Sequence, residues 1–331
     1  MIFSLFITLS AFLIALIGTR LLILAFRGRR MMLDLPNARS NHQTPVPKGG
    51  GLAVVFALII PMLVANIELA IVLSVLILAA VSLLDDLITV PPLVRLLVQV
   101  IAVAIPLSIL PIDFSGGLLP PMVEKTLVGI MWIWCINLFN FMDGADGLSA
   151  VEMISVGLGI TFIMVFAEQF PGELAHYAMV LAAAGCGFWW WNRHPAKIFL
   201  GDVGSIPIGF IIGYLLLLTA LSGYPVAALI LPGYYFADAT ITIIKRLLKR
   251  EKIWQAHSSH YYQQAMRKGW KHGLVTQYIA GVNVLLGFLA VYSALYPDLN
   301  FLFIALAVMA VFMLMGFFRH HPGDSTTGTQ K

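Results

Sequence analysis

The sequence predicts an all-α, polytopic integral membrane protein, and three observations lead to that fold class. Of the 331 residues, 60% are hydrophobic and only 11% carry a charge, whereas soluble domains are about one quarter charged. The mean hydropathy is +0.91. Apolar runs long enough, or nearly long enough, to cross a bilayer recur from one end of the chain to the other.

Eleven segments are predicted to span the membrane, and the count is ten or eleven helices because the pair around Asn66–Glu68 is hard to separate. They cover residues 2–24, 51–66, 69–84, 93–110, 121–142, 147–168, 174–191, 206–222, 224–244, 274–293 and 299–318. The first is not expected to be a cleavable signal peptide, since its basic residues follow the apolar run. Residues 1–320 are predicted to form one transmembrane domain and residues 321–331 a disordered cytoplasmic tail.

The basic residues predict the orientation. With the N-terminus outside, the cytoplasmic side receives 19 of the 20 lysine and arginine residues, Lys125 being the exception. Because basic residues accumulate on the cytoplasmic side, we expect an N-out, C-in topology. Cys135 and Cys186 fall within predicted spans, which indicates neither a disulfide framework nor a thiolate metal site.

Ahead of the second span, the segment Pro45-Val-Pro-Lys48-Gly-Gly-Gly51 is rich in proline and glycine. Proline prevents a regular helix here, and exposed glycine amides can cradle a phosphate group beside a basic side chain. We therefore expect Lys48 to contact a diphosphate. A glycine-rich turn is also common before a membrane helix, so the motif indicates little by itself.

The third span ends at an acidic pair, Asp85-Asp86. Adjacent carboxylates repel each other and resist removal from water, and the C-terminal end of a helix is unfavourable for negative charge. A compensating cation is expected beside them. Since neighbouring helical side chains point about 100° apart, one acid can ligate a metal or orient a group while the other handles a proton.

The central motif is Asn137-Leu-Phe-Asn-Phe-Met-Asp-Gly-Ala-Asp-Gly-Leu148, at the end of an apolar run. Asn137, Asn140 and Asp143 are three residues apart and form one slowly turning polar stripe on a helix. In an apolar setting such groups are costly unless they are paired, bound to metal or facing water. The simpler interpretation is a loop in which Asp146 caps the next helix.

Two further polar motifs fall on the same predicted side. Gly201-Asp-Val-Gly-Ser205 places one acid between flexible residues just before a span, which suits an exposed metal ligand. Phe199 beside it is either buried or free to stack on a base. In the longest loop, His257 and His260 share a face with Gln264 if the segment is helical, and imidazole nitrogens suit phosphate oxygens.

These clusters predict one site at the cytoplasmic edge of the membrane. Its members are Lys48, Asp85, Asp86, Asn140, Asp143, Asp146, Asp202, His257 and His260. Hard oxygen ligands without thiolates indicate Mg²⁺, with Mn²⁺ as the other candidate. Asp238 lies inside the ninth predicted span, within about two helical turns of Lys245 and Arg246, so both a structural ion pair and a catalytic role are open.

Together the motifs resemble the polyprenyl-phosphate N-acetylhexosamine-1-phosphate transferase family (glycosyltransferase family 4), which includes the MraY and WecA types. The resemblance covers about residues 40–264 in the family's order, and the motifs are Asp85-Asp86, Asn137–Leu148, Gly201–Ser205, the His257/His260 loop and, more loosely, Pro45–Gly51. The histidine loop is most similar to the O-antigen-initiating, WbpL-like branch.

The sequence departs from the family pattern at two places. Leu87, Ile88 and Thr89 follow the acidic pair, where the family often has a further charged residue. Two serines separate His257 from His260, whereas the MraY type has consecutive histidines. The second departure argues against the pentapeptide-bearing substrate of peptidoglycan synthesis.

The resemblance implies transfer of a sugar 1-phosphate from a UDP-N-acetylhexosamine to undecaprenyl phosphate, with release of UMP. It implies that Asp202 is the principal Mg²⁺ ligand, that Asp86 supports the metal, and that Asp85 deprotonates or positions the lipid phosphate. The substrate-binding residues would be Asn137, Asn140, Asp143 and Asp146, the last three at the nucleotide end. Lys48 would contact the diphosphate, Phe199 would stack on uracil, and His257 and His260 would contact phosphate. The expected location is the bacterial inner membrane, with the site facing the cytoplasm.

Other interpretations stay open at this point. A phospho-N-acetylmuramoyl-pentapeptide transferase is the nearest alternative within the family. A secondary transporter is the alternative from another class, although transporter sites lie near the middle of the membrane and usually accompany inverted repeats, and we find no repeat. We expect membrane lipid as a partner and no nucleic acid; a homodimer is open. The sugar is not specified, because discrimination between hexosamines depends on pocket contacts.

Overall fold

The computed structural model describes residues 2–26, 33–34, 45–167, 170, 172–252 and 258–323, and these residues form a bundle of helices. The helices are α1 Ile2–Phe26, α2 Gly51–Val64, α3 Leu69–Leu87, α4 Pro92–Ile109, α5 Pro121–Met142, α6 Leu148–Phe166, α7 Glu173–Asn192, α8 Asp202–Leu221, α9 Pro225–Ile230, α10 Gly233–Leu248, α11 Tyr261–Arg267, α12 His272–Leu295 and α13 Asn300–His320. The only other regular elements in the described ranges are a 3₁₀ turn at Pro297–Leu299 and two antiparallel two-residue strands, β1 (Leu33–Asp34) and β2 (Val46–Pro47).

The predicted all-α membrane fold is confirmed. Within the described ranges, eight helices are long and apolar enough to cross a membrane. They are α1, α3, α4, α5, α6, α8, α12 and α13, the last counted with its 3₁₀ turn. The remaining predicted spans correspond to α2, α7 and the α9–α10 pair. The protein is therefore a multi-pass membrane protein, and the count of ten or eleven spans stays a prediction.

The ninth predicted span, residues 224–244, is not one helix. It is divided into α9 and α10, and Leu231 and Pro232 lie between them. Proline has no amide hydrogen for the carbonyl four residues earlier and its ring clashes with that carbonyl, so the helix ends before Pro232. The apolar run hides this break, because hydropathy does not record hydrogen-bonding capacity.

Helix α8 lies at the centre of the bundle, where it packs against α2, α3, α5 and α9. Nearly all of its side chains are buried, as expected for a helix that is apolar on every face. The indole Nε1 of Trp132 on α5 donates to the Phe210 carbonyl of α8 at 2.8 Å. Because α8 also begins at Asp202, its position fixes one of the predicted site acids.

The start of α8 corrects the sequence-based boundary. The span was expected to begin at residue 206, with Asp202 in a flexible segment ahead of it, but Asp202 is the first residue of the helix. An acid in the first turn is favoured by the unpaired amides and the positive end of the helix dipole. The carboxylate is therefore presented from a rigid element.

A polar pair joins α6 and α12 inside the bundle. The Asn283 Nδ2 donates to Glu152 Oε2 at 2.7 Å, and both residues are buried. Glu152 Oε1 and Asn283 Oδ1 have no hydrogen-bond partner among the described residues. Both atoms are acceptors when Glu152 is ionised, so one additional donor between them would satisfy the pair.

We therefore expect Glu152→Gln to unfold at a temperature equal to or above that of the parent, because the new amide can donate to Asn283 Oδ1. Glu152→Ala should lower the free energy of unfolding by about 1–3 kcal/mol, since it leaves the buried Asn283 without its acceptor. Thermal unfolding of purified protein in detergent measures both. Equal destabilisation by the two substitutions would contradict this interpretation.

The predicted tail is described only at its start. The Gly323 amide donates to the Lys268 carbonyl at 2.9 Å, and the Trp270 indole donates to the His321 carbonyl at 3.1 Å. Residues 324–331 lie outside the described residues, so disorder there stays a prediction. Residues 35–44 and His257 also lie outside them.

Candidate functional site

The acidic pair at the end of α3 divides between two basic partners. Asp85 Oδ2 accepts from the Arg95 guanidinium of α4 at 2.7 Å, and Asp85 Oδ1 accepts from the Val90 amide at 2.8 Å. Asp86 Oδ1 lies 3.4 Å from Lys48 Nζ, and Asp86 Oδ2 accepts from the Val203 amide at 3.1 Å. The two acids therefore point to different partners, as expected for neighbouring helical residues, and each has a compensating cation.

Asp202 joins this cluster from α8. Its Oδ1 accepts from the Asn140 side-chain amide at 3.0 Å, and the same amide donates to the Ser205 hydroxyl at 2.8 Å. Its Oδ2 lies 3.9 Å from Arg95. Since Asp86 accepts the amide of Val203, the residue next to Asp202, the two predicted metal ligands are held side by side by the chain itself.

The glycines next to Lys48 bring the starts of α2 and α8 together. The Gly50 and Gly51 amides donate to the Phe199 and Leu200 carbonyls at 2.9 and 2.8 Å. A Cβ on Gly51 would stand 2.2 Å from the Gly204 Cα, so only glycine permits this approach. These two amides are engaged by main-chain carbonyls, and the expectation that they cradle a phosphate is wrong.

Phe199 lies on the same seam as Lys48. The two residues form an isolated parallel bridge, in which the Phe199 amide donates to the Pro47 carbonyl at 2.8 Å. Phe199 is only partly buried. The predicted stacking of Phe199 on uracil remains a prediction.

Asp143 follows α5 and lies within electrostatic range of the acidic cluster. Removal from water raises the pKa of Asp143 to about 8; the Ser149 hydroxyl, which donates to it at 2.5 Å, lowers the pKa, and the charges of Asp202 and Asp86 raise it. At neutral pH the carboxyl is therefore mostly protonated. Both burial and the neighbouring acids therefore disfavour a further negative charge at Asp143.

Asp146 has partners of a different kind. Its Oδ2 accepts from His194 Nδ1 at 2.6 Å and from the Ala196 amide at 3.2 Å, and its Oδ1 lies 3.4 Å from His272 Nδ1. Burial would raise the pKa of Asp146, but the His272 and His194 imidazoles and the Ala196 amide outweigh it and lower the pKa. Helix α6 is capped by Gly147 with φ +77°, so the interpretation of Asp146 as a helix cap is wrong.

The two remaining polar positions of the sequence pattern are linked to other groups. The Asn137 side-chain amide donates to Gln99 Oε1 at 2.8 Å, which ties α5 to α4. His260 is buried, with its ring between those of Phe141 and Tyr262 and its Nδ1 3.4 Å from Asp238 Oδ1. None of the described contacts joins Asn137 or His260 directly to the three acids Asp85, Asp86 and Asp202. The predicted substrate contacts of Asn137 and His260 stay predictions.

The Asp238 carboxylate accepts hydrogen bonds from the main chain of α11. Its Oδ1 and Oδ2 accept from the Tyr261 and Tyr262 amides at 2.9 and 3.1 Å, and Tyr234 donates a further hydroxyl at 3.1 Å. Lys245 instead donates to the Tyr261 hydroxyl. The structural interpretation of Asp238 is favoured, but through backbone amides rather than through an ion pair.

Sequence reasoning missed Arg95, His194 and His272. Arg95 was counted only as a topology charge, although it lies ten residues after Asp85 on the next helix, where a short turn returns it to the acidic pair. The signal was present, because two acids at a helix end need a cation. The two histidines gave no such signal: they are 78 residues apart in the sequence and meet only through folding.

Known proteins with related sequences place the chain in a family. The sequence profile of the family described as Glycosyl transferase family 4 matches residues 68–220. The chain is 30% identical over 301 residues to the probable undecaprenyl-phosphate N-acetylglucosaminyl 1-phosphate transferase of Bacillus subtilis, which covers 85% of this chain and 82% of that protein.

A second group of relatives matches a shorter part of the chain. The phospho-N-acetylmuramoyl-pentapeptide-transferase of Aliarcobacter butzleri is 30% identical over 178 residues, which is 47% of this chain and 48% of that protein. The corresponding protein of Desulforapulum autotrophicum is 28% identical over 191 residues, 49% and 52% of the two chains. The match over most of both chains, the family profile and the shared motifs lead to one conclusion: the chain belongs to glycosyl transferase family 4, the polyprenyl-phosphate hexosamine-1-phosphate transferases that its motifs resemble.

Proposed function

We propose that the chain transfers N-acetylhexosamine 1-phosphate from a UDP-N-acetylhexosamine to undecaprenyl phosphate, releasing UMP, as the initiating step of O-antigen or another surface polysaccharide. The observation that carries the proposal is the meeting of Asp85, Asp86 and Asp202 with Lys48 and Arg95 at one end of the membrane helices. Acids and cations at a membrane edge suit a reaction between two phosphate groups, one on a lipid and one on a soluble nucleotide.

The donor set fits a hard divalent cation. Asp86 Oδ1 and Asp202 Oδ2 each have a cation at 3.4 or 3.9 Å, which is longer than the roughly 2.7–3.2 Å of a hydrogen bond. These two oxygens are therefore available to a metal, and carboxylate oxygens without thiolates suit Mg²⁺, or Mn²⁺ in its place. When bound, the ion would neutralise charge on the diphosphate and on departing UMP.

The chain's own residues position the acceptor. A small cleft between α3, α4 and α8 is lined by Asp85, Arg95, Gln99 and Asp202 together with apolar side chains. This mixed lining suits the place where a lipid phosphate joins its apolar chain. A phosphate monoester has a second pKa of about 6, so it is mostly ionised at neutral pH and can attack the sugar-linked phosphorus without a base.

Asp85 suits positioning better than proton abstraction, because both of its oxygens already accept hydrogen bonds. In the proposed single displacement, a lipid phosphate oxygen forms a bond to the sugar-linked phosphorus while the bond to UMP breaks. Lys48 would contact the diphosphate and Asn140 would orient Asp202. Trapping of a phosphorylated aspartate during turnover would contradict this version.

The proposed location is the bacterial inner membrane, with the site facing the cytoplasm. The ends of α3 and α5 and the starts of α2 and α8 lie together at the acidic cluster. That end corresponds to the side assigned 19 of the 20 basic residues, which is the pattern of a cytoplasmic face. A cysteine-accessibility assay on intact cells at exposed Asp298, predicted outside, checks the orientation.

The reaction is tested with purified protein, undecaprenyl phosphate and a panel of UDP-sugars. We expect lipid-dependent UMP release from one UDP-N-acetylhexosamine, its loss when EDTA removes divalent ions, and its recovery with Mg²⁺ or Mn²⁺. Release from UDP-N-acetylmuramoyl-pentapeptide alone would move the assignment to peptidoglycan synthesis. Absence of UMP with every donor, from a folded protein, would overturn the proposal.

A further inference from the structure

A second cluster of ligand-type side chains lies apart from the acids of the proposed reaction. It consists of Asp146, His194 and His272, which come from three segments: the α5–α6 turn, the α7–α8 connection and the first residue of α12. One carboxylate oxygen and one ring nitrogen from each histidine all lie within 4.8 Å of one another. The two imidazole rings are 5.7 Å apart and inclined by 27°.

The spacing of these atoms is only partly explained by hydrogen bonding. The 2.6 Å between His194 Nδ1 and Asp146 Oδ2 is a hydrogen bond, and since a carboxylate can only accept, Nδ1 carries the proton. His272 Nδ1 has two long contacts with Asp146, at 3.4 Å from its Oδ1 and at 3.5 Å from its main-chain amide, and both exceed the roughly 2.7–3.2 Å of a typical hydrogen bond. Two ligand atoms each about 2.0–2.1 Å from one tetrahedral ion stand about 3.3–3.4 Å apart.

We propose that Asp146, His194 and His272 bind a transition-metal dication of the Zn²⁺ class. Two imidazoles and one carboxylate form a ligand set that suits zinc, whereas Mg²⁺ prefers oxygen alone. The ion replaces the proton on His194 Nδ1, which opens the short contact with Asp146. The site shares no residue with the cluster of Asp85, Asp86 and Asp202.

The surroundings leave room for one more ligand. The His194 side chain is 42% exposed, whereas Asp146 is 8% exposed, so the ion is reached from the solvent side and a water completes its coordination. The Ala196 amide donates to Asp146 Oδ2 at 3.2 Å, and the Thr276 hydroxyl donates to the Asp146 carbonyl at 2.9 Å. These bonds fix the orientation of the aspartate.

Such an ion would tie together the segments that border the acidic cluster. The connection that carries His194 continues through Ala196 to Phe199 and to Asp202 at the start of α8. The segment that carries Asp146 begins at Asp143. A bound metal ion would therefore hold both of these segments against α12, which gives the ion a structural rather than a catalytic role.

The test is zinc binding by the full chain in detergent, with chelator-stripped protein dialysed against Zn²⁺ in the presence of excess Mg²⁺ and no substrate. We expect one tightly held zinc per chain. Replacement by Co²⁺ should give the visible absorption of a nitrogen- and oxygen-ligated ion. Because loss of an outer-shell partner already costs about 10–100-fold in affinity, His272→Ala and His194→Ala should each weaken binding by at least that factor.

His320→Ala is the matched control, since His320 is an exposed histidine at the end of α13 and its loss should leave zinc binding unchanged. His194→Gln, at an exposed position, keeps the result interpretable if His272→Ala fails to fold. Sub-stoichiometric zinc in the parent, or equal zinc in the His194 and control variants, would overturn the proposal. UMP release is measured separately, so failure here leaves the proposed reaction standing.

Discussion

Asp202→Asn is expected to reduce UMP release by at least about 10²–10³-fold, the size seen when one electrostatic group is removed from a transition state. The substitution keeps the shape of the side chain and the oxygen that accepts from Asn140. It removes the negative charge that would hold the metal beside Asp86. The helix should form as before, because α8 is preceded by Gly201 and no side-chain cap hydrogen bond is lost. The loss is therefore expected in turnover and not in folding.

Turnover is measured at saturating UDP-sugar and undecaprenyl phosphate, with thermal unfolding in detergent measured in parallel. Asp298→Asn is the control, since Asp298 is exposed in the turn before α13 and should retain the parent rate. Near-normal turnover by Asp202→Asn in a folded protein would remove Asp202 from the site.

Arg95→Ala is expected to lower turnover by about 10- to 100-fold, equivalent to roughly 1.4–2.7 kcal/mol in the barrier. Arg95 is the closest cation to Asp85, at 2.7 Å, and also lies 3.9 Å from Asp202. Its removal leaves Asp85, which is 8% exposed, with only the Val90 amide as a described partner. The unbalanced carboxylate would repel an incoming phosphate, so the KM for the lipid should rise as well.

Arg95→Lys separates charge from shape. Lysine keeps the positive charge but lacks the planar guanidinium with its fixed set of donors, so we expect activity between those of the alanine variant and the parent. Steady-state kcat and KM for undecaprenyl phosphate, determined for the parent and both variants, check this order. Identical kinetics in the parent and Arg95→Ala would show that the ion pair has no part in the reaction.

The sequence by itself determined the fold class and most helix positions. Composition and apolar run length require burial in lipid, and in lipid only helices satisfy their own backbone groups over such runs. The proline-rich segment ahead of α2 and the acidic end of α3 were also readable, because those effects are local, whereas the helix break before Pro232 was missed. The resemblance added the family, which the Bacillus subtilis relative and the family profile confirmed.

Tertiary structure decided which groups meet. Asp146 was expected near the nucleotide, yet its carboxylate faces His194 and His272, and Gly50 and Gly51 use their amides to join α2 to α8. Arg95 became the partner of Asp85 only through the packing of α4 on α3. Periodicity fixes which residues share a face of one helix, but the partner of a polar group depends on distances between elements, and the order of residues along the chain does not specify those distances.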